Sequence, residues 1–153
     1  MKKLTYIISA SILLLTLGLL GCKDDDPGVE EVEKDKISKT WDITNDGKSF
    51  VLLDNMDVTS SFNEFVLTVQ SDGTYLTAGG EEPNLWPASG SWAFERVDGT
   101  INFSRVIRED GLILEIEKID GDNLKFSFQF QNDVHSGKMD GVSAQYTFNL
   151  YSR

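Results

Sequence analysis

Cysteine, histidine and proline are scarce: one, one and three among 153 residues. A single cysteine cannot close a disulfide within the chain, so the fold must hold by packing and strand pairing. It also leaves no Cys-based zinc site, and one histidine without a partner gives no transition-metal centre. Basic residues are few, 14 Lys and Arg against 25 Asp and Glu, for a formal net charge of -11. That balance argues against nucleic acid as a partner and against direct adhesion to anionic lipid head groups. The patterns G-x-S-x-G, H-E-x-x-H and the P-loop do not occur. With no coherent catalytic constellation, the chain reads as non-enzymatic, and no cofactor is expected.

One long apolar run is present, from Leu4 to Leu20, with Lys2 and Lys3 before it and Gly21-Cys22 after it. A positive segment, an apolar stretch and a small residue, in that order, mark a secretory signal peptide over 1–21. Leu19-Leu20-Gly21-Cys22 resembles the lipobox of bacterial lipoproteins. The resemblance implies cleavage before Cys22, a diacylglycerol on its sulfur and often an acyl chain on its new amino group. The competing reading is an uncleaved membrane helix, because a span needs ~20 residues. A lone cysteine directly after the small residue favours lipid attachment, since several acyl chains, at ~0.8 kcal/mol per buried methylene, hold a protein to a bilayer. Removing 21 of 153 residues leaves 132, enough for one domain, and losing two lysines takes the charge from -11 to -13.

Residues 22–36 read as a lipidated acidic linker. Lys23-Asp24-Asp25-Asp26 follows the cysteine, Pro27-Gly28 breaks structure, and Glu30 to Lys36 is almost all charged. Lys and acidic residues at that place resemble the surface-export signal of Bacteroidetes lipoproteins, which implies an outer-membrane anchor and exposure at the cell surface. The same aspartates make a poor Ca²⁺ site, because a flexible acidic run lacks preorganised carbonyl ligands. A short helix is predicted over 31–39, leading into a domain spanning 37–153.

From Trp41 onward the pattern is β. Leu124, Phe126, Phe128 and Phe130 alternate with Lys125, Ser127, Gln129 and Gln131. Val142, Ala144, Tyr146, Phe148 and Leu150 alternate likewise. Ile101, Phe103, Arg105 and Ile107 are expected on one face; Leu112, Leu114 and Ile116 oppose Glu115 and Glu117; Phe65, Leu67 and Val69 oppose Glu64 and Thr68. One apolar and one polar face per strand is the antiparallel signature. Asp46-Gly47, Asp72-Gly73, Asp98-Gly99, Asp110-Gly111 and Gly121-Asp122 supply the turns between them. The predicted strands are 40–45, 49–54, 62–70, 74–79, 89–96, 100–107, 112–119, 123–131 and 141–151. Eight or nine such strands in a meander escape exposed edges by closing into an antiparallel up-and-down barrel.

Trp41, then Phe65-Val66-Leu67-Thr68-Val69 running into Ser71-Asp72-Gly73-Thr74-Tyr75, then Gly90-Ser91-Trp92 before Asp98-Gly99, resemble the lipocalin-like domains of Bacteroidetes lipoproteins, within the calycin group. Lys39 stands where the family often has Gly two residues before the Trp. The resemblance implies a lipocalin-like all-β barrel that binds a small hydrophobic ligand.

Candidate binding residues follow from that barrel. Inward aromatics, Tyr75, Phe103, Phe128 and Tyr146, either line a cavity or fill it. Trp41 and Trp92 are expected in the core. Trp86 lies in Glu81-Glu82-Pro83-Asn84-Leu85-Trp86-Pro87, stiffened by two prolines; it either stacks on a ligand such as a sugar or folds back over the barrel end. Asn55, Met56 and Asp57 form a polar loop without distinctive chemistry. Glu115 and Glu117 read as a solvated pair. Asp133, His135 and Ser136 are too close in sequence to face one another as a triad. The expected function is a membrane-anchored lipoprotein whose barrel binds a small apolar ligand. The alternative is a surface accessory module that binds glycan or protein through its loops, on a packed barrel. The partners expected are the membrane, through lipid on Cys22, and such a ligand; nucleic acid is not among them.

Overall fold

Alternation buries one side of each strand, and short turns return the chain antiparallel to itself. The structure is a computed structural model describing residues 28–43, 47–79, 85–131 and 143–153. Helix α1 (Val29–Ile37) leads into β1 (Thr40–Asp42), β2 (Phe50–Leu53) and β3 (Met56–Asp57). A 3₁₀ turn (Thr59–Phe62) precedes β4 (Val66–Val69) and β5 (Thr74–Ala78). Then come β6 (Ser89–Val97), β7 (Thr100–Arg108), β8 (Ile113–Asp120), β9 (Asn123–Gln131) and β10 (Ser143–Ser152). The order β1-β4-β5-β6-β7-β8-β9-β10 closes on itself through β1–β10 pairing, giving an eight-stranded antiparallel barrel. β2 and β3 are two further strands attached beside β10.

The first strand is interrupted. β10 pairs Trp41 with Ser152 and Asp42 with Tyr151, then Phe50 with Asn149. Two residues along β10 therefore correspond to eight along the first strand, from Asp42 to Phe50. The chain leaves the wall, returns as β2, and turns at Asp54-Asn55 (φ 49° and 67°) into β3. Two successive positive φ values are the geometry of a tight hairpin turn. The polar loop expected at 55–57 is thus the turn and second strand of a hairpin. Strand 62–70 also starts later than its apolar pattern suggests. Phe62 closes the 3₁₀ turn, where it packs edge-on against Phe148 at 5.2 Å and Phe65 at 6.1 Å. An apolar residue before a strand need not belong to it when a turn delivers it to the same core.

Two bulges reset the inward parity. Phe94 pairs with Val106 but Glu95 pairs with Asn102, so β7 carries three extra residues between these pairs. Ile101 and Phe103 pack on the core before the bulge, and Val106 and Arg108 are buried after it. Arg105 and Ile107, expected on the same face as Phe103, are switched away from it. β8 does the same on a smaller scale between Ile116 and Lys118, and Ile119 becomes the next core-packed residue.

Helix α1 begins at Val29, inside the stretch assigned to the linker. Ile37 is buried, and its carbonyl accepts from Trp41 Nε1 at 2.9 Å, so the last turn of the helix is tied to β1. Arg96 Nη2 donates to Glu30 Oε2 at 2.6 Å, joining the first turn to β6. Among the described residues no helix is long and apolar enough to cross a membrane.

The tightest backbone approach is at Gly79, just after β5. Its φ is +68°, and a Cβ there would sit 1.9 Å from the Glu64 carbonyl oxygen. Neither strain nor clash can be relieved by a side-chain rotation. Gly79→Ala is expected to lower stability by about 2 kcal/mol or more, checked by urea denaturation.

Candidate functional site

A barrel of eight strands has an interior just wide enough for side chains to fill it. Here part of the filling comes from a connection. Between β5 and β6 the chain drops Leu85 and Trp86 inward; they are 1% and 6% exposed. The return to the wall is pinned, since Thr77 Oγ1 donates to Pro87 O at 2.8 Å and Thr77 N to Ala88 O at 2.9 Å. The Trp86 ring lies 5.4–6.3 Å from the rings of Phe65, Tyr75, Phe126, Phe128 and Phe148. Four of these five meet it edge-on, the arrangement in which a positive ring edge meets a negative face.

Arg108, at the end of β7, carries a charge into the interior, at 2% exposure. The bulge in β7 turns it inward. Its guanidinium carbon sits 5.1 Å from the Trp86 ring centroid and 5.9 Å from that of Tyr75. Nη1 donates to Leu85 O at 2.8 Å, Nε donates to Asp110 Oδ1 at 3.2 Å, and Nη2 pairs with Asp110 Oδ2. A buried cation needs such compensation, because desolvation alone would cost several kcal/mol. Burial pushes the Asp110 carboxyl upward, but hydrogen bonds from Arg108 and from the Leu112 N–H outweigh it, and the net shift is downward. Burial raises the Tyr75 phenol against the opposing pull of Arg108. Trp86 Nε1 is buried and has no hydrogen-bond partner among the described residues.

What remains open inside is a cavity of about 30 Å³, lined by Trp86 and Arg108 together with Tyr75, Leu67, Val106 and Phe126. Pockets that hold ligands run from ~300 to 1,000 Å³. A wider recess, about 480 Å³, opens on the outer wall where β8 and β9 part. Their pairing ends at Glu115–Ser127, so Phe128–Gln131 has no partner on that side among the described residues. Arg105, Glu115, Ser127, Gln129 and Gln145 rim the recess, and Leu112, Ile113 and Phe128 line it as well. Arg105 is oriented by Glu95, 2.8 and 3.0 Å from Nη1, and stands 3.7 Å from Glu115.

Of the expected ligand residues, Trp86, Tyr75 and Phe128 share the interior, and Tyr146 stacks on Phe128 at 5.6 Å. Phe103 is apart from them, edge-on to Phe94 at 5.1 Å. Trp86 is packed inward and is not displayed as a surface platform. Trp41 is 0% exposed and Trp92 6%. Cys22, Asp133, His135 and Ser136 lie outside the described residues. Among the described residues no group of three or more His, Cys, Asp or Glu is placed to hold a metal ion. Sequence reasoning missed Arg108, which ends a strand two residues before an Asp-Gly turn. That spacing signals an Arg–Asp clasp, but only the bulge decides which way the clasp faces.

Comparison with known proteins finds no matching family model, no matching curated protein and no matching solved structure. The architecture by itself is compatible with a lipocalin-like fold.

Two measurements probe the interior. Trp86→Ala is expected to cost about 3–5 kcal/mol of stability in urea, the range for a large buried aromatic, with native Trp86 fluorescence protected from acrylamide. Asp110 titrates in the folded state below its ordinary value of 3.8. Its contribution is therefore complete above the ordinary carboxylate range and lost as pH falls through the depressed value. Asp110→Asn is expected to flatten the acid side of the stability–pH curve relative to wild type, and an unchanged slope would refute the clasp.

Proposed function

We propose that this protein is a lipid-anchored, non-enzymatic binding module of the cell envelope, with a packed barrel as scaffold and recognition on its outer wall. The observation that carries this reading is the filled interior: a cavity of about 30 Å³ has no room for a ligand beside Trp86. The recess between β8 and β9 supplies what the interior lacks, about 480 Å³ of open space. Its rim mixes a guanidinium, a carboxylate, a hydroxyl and two carboxamides, a set that matches the hydroxyls of a glycan. Gln129 and Gln145 are exposed, so they bind without a large rearrangement of the wall. The anchor is Cys22, with cleavage after Gly21, and the acidic segment behind it supports an outer-membrane, surface-exposed location.

Two arms test this. Cys22→Ser is expected to release the protein from the membrane fraction and abolish lipid labelling. On a glycan array, the full chain is expected to bind, and a Gln129→Ala/Gln145→Ala variant to lose at least tenfold in affinity with an unchanged melting temperature. An equal signal from both proteins would sink the recess as the site.

A second reading has one observation in its favour. The interior is closed by a residue from a connection, whose indole N–H is buried without a partner among the described residues. An unmet buried donor costs roughly 1–3 kcal/mol. That cost is recovered when Trp86 leaves, so in this reading the structure is the closed state of an apolar-ligand site.

A further inference from the structure

We propose that the sugar held in the β8–β9 recess carries an acetamido group, and that this amide bridges a broken rung of the barrel wall. This deepens the glycan reading above and rests on it. In an antiparallel ladder, opposed residues alternate between pairs that bond each other and pairs whose N–H and C=O groups point away. Gln145 N donates to Asp54 Oδ1 and Gln145 O accepts from Asp54 N, both at 2.9 Å, so its backbone groups face β2. Gln129, its partner on β9, therefore turns its own N–H and C=O toward β8. On the other side of the gap, Arg108 N donates to Leu112 O at 2.9 Å. That makes the next pair, Ile107–Ile113, one whose groups point away, so Ile113 turns its N–H and C=O toward β9. Ile113 and Gln129 are the next bonded pair in register after Glu115–Ser127, yet the pairing stops before them. Both residues line the recess.

Such a gap calls for one group that accepts from one edge and donates to the other. A secondary amide does so, because its N–H and C=O lie in one plane and point in opposite directions. A strand would place the same group there, but β8 offers it a single rung. Before Ile113 the chain is still in the turn from β7, where Gly111 N donates to Arg108 O. One amide on a compact polyhydroxy ring matches that depth. The lining divides accordingly: Leu112, Ile113 and Phe128 give an apolar surface for the acetyl methyl. Arg105 Nε is buried without a hydrogen-bond partner among the described residues, which leaves a donor for a ring hydroxyl. Glu95 on Nη1 and Glu115 at 3.7 Å already set two carboxylates against that one guanidinium, which disfavours an acidic sugar.

The isotope-labelled full chain is titrated with three trimers of one linkage, built from N-acetylglucosamine, glucosamine or glucose, and with a capped alanine tripeptide. The acetylated trimer is expected to bind about tenfold or more tightly than the other two, and to shift the Ile113 and Gln129 backbone amide signals. In the Gln129→Ala/Gln145→Ala variant every sugar weakens, but the preference for the acetylated trimer is expected to persist, since backbone groups carry it. Equal binding of the glucose trimer would overturn the acetamido assignment and leave the recess standing as a glycan site. Tighter binding of the tripeptide, with the same two amides shifted, would overturn the sugar and assign the gap to a protein strand. No binding of the acetylated trimer would remove this inference, whatever the glycan array shows for the recess.

Discussion

Trp86 meets five aromatic side chains and a guanidinium inside the barrel, and most of the interior is arranged around that meeting. Closing eight strands removes their edges but encloses a space that wall residues alone must otherwise fill. Phe126, Phe128 and Phe148 stack on one another across β9 and β10, with ring planes within 18°. Such a stack makes a flat wall and leaves a slot opposite. Trp86 fills the slot edge-on, Arg108 covers its far face, and the Leu85 carbonyl fastens the two together. Gly90 belongs to the same arrangement, since a Cβ there would lie 2.6 Å from the Tyr75 hydroxyl. With no disulfide available to the domain, this packing and the sheet ladder hold the fold.

Ion pairs also tie α1 and the end of β10 to the barrel. Glu30–Arg96 ties α1 to β6, and Arg153 Nε pairs with Asp42 at 2.5 Å, holding the end of β10 to β1. The exposed Glu30–Arg96 pair is of a kind worth ~0–1 kcal/mol. The use of both pairs is positional. In Arg108–Asp110 the buried partner is the cation, so losing Asp110 leaves a positive charge inside the protein.

Most of the strands and the closed meander are legible in the sequence, but the place of β2 beside β10 is not. Leu124 to Phe130 and Ala144 to Leu150 keep strict alternation, and Asp98-Gly99 adopts φ of 50° and 80°, as its residue types suggest. What is not legible is where alternation breaks. The extra residues in β7 leave a continuous apolar-looking sequence, yet they turn Arg105 outward and Arg108 inward. Pattern counting assumes period two throughout, and a bulge violates that assumption without any compositional mark. The interruption of the first strand is hidden for the same reason: both halves pair with β10, and only the register shows the excursion between them. The direction of Trp86 was open as well, because two prolines stiffen a loop without saying which way its aromatic residue points. The geometry of the candidate site depends on these three features, so the fold was readable and the site was not.

The filled barrel also sets the terms on which an interior ligand competes. If removing the indole costs about 3–5 kcal/mol, the open state is populated at roughly one part in 10² to 10⁴, and affinity falls by that factor. A ligand that fills the slot regains the apolar contacts, and the freed indole N–H regains water. Recognition on the outer wall carries no such tax, because the recess between β8 and β9 is already open and its rim is already oriented by Glu95 and the neighbouring strands. The energetic difference between an open recess and a closed slot is what ranks the two readings.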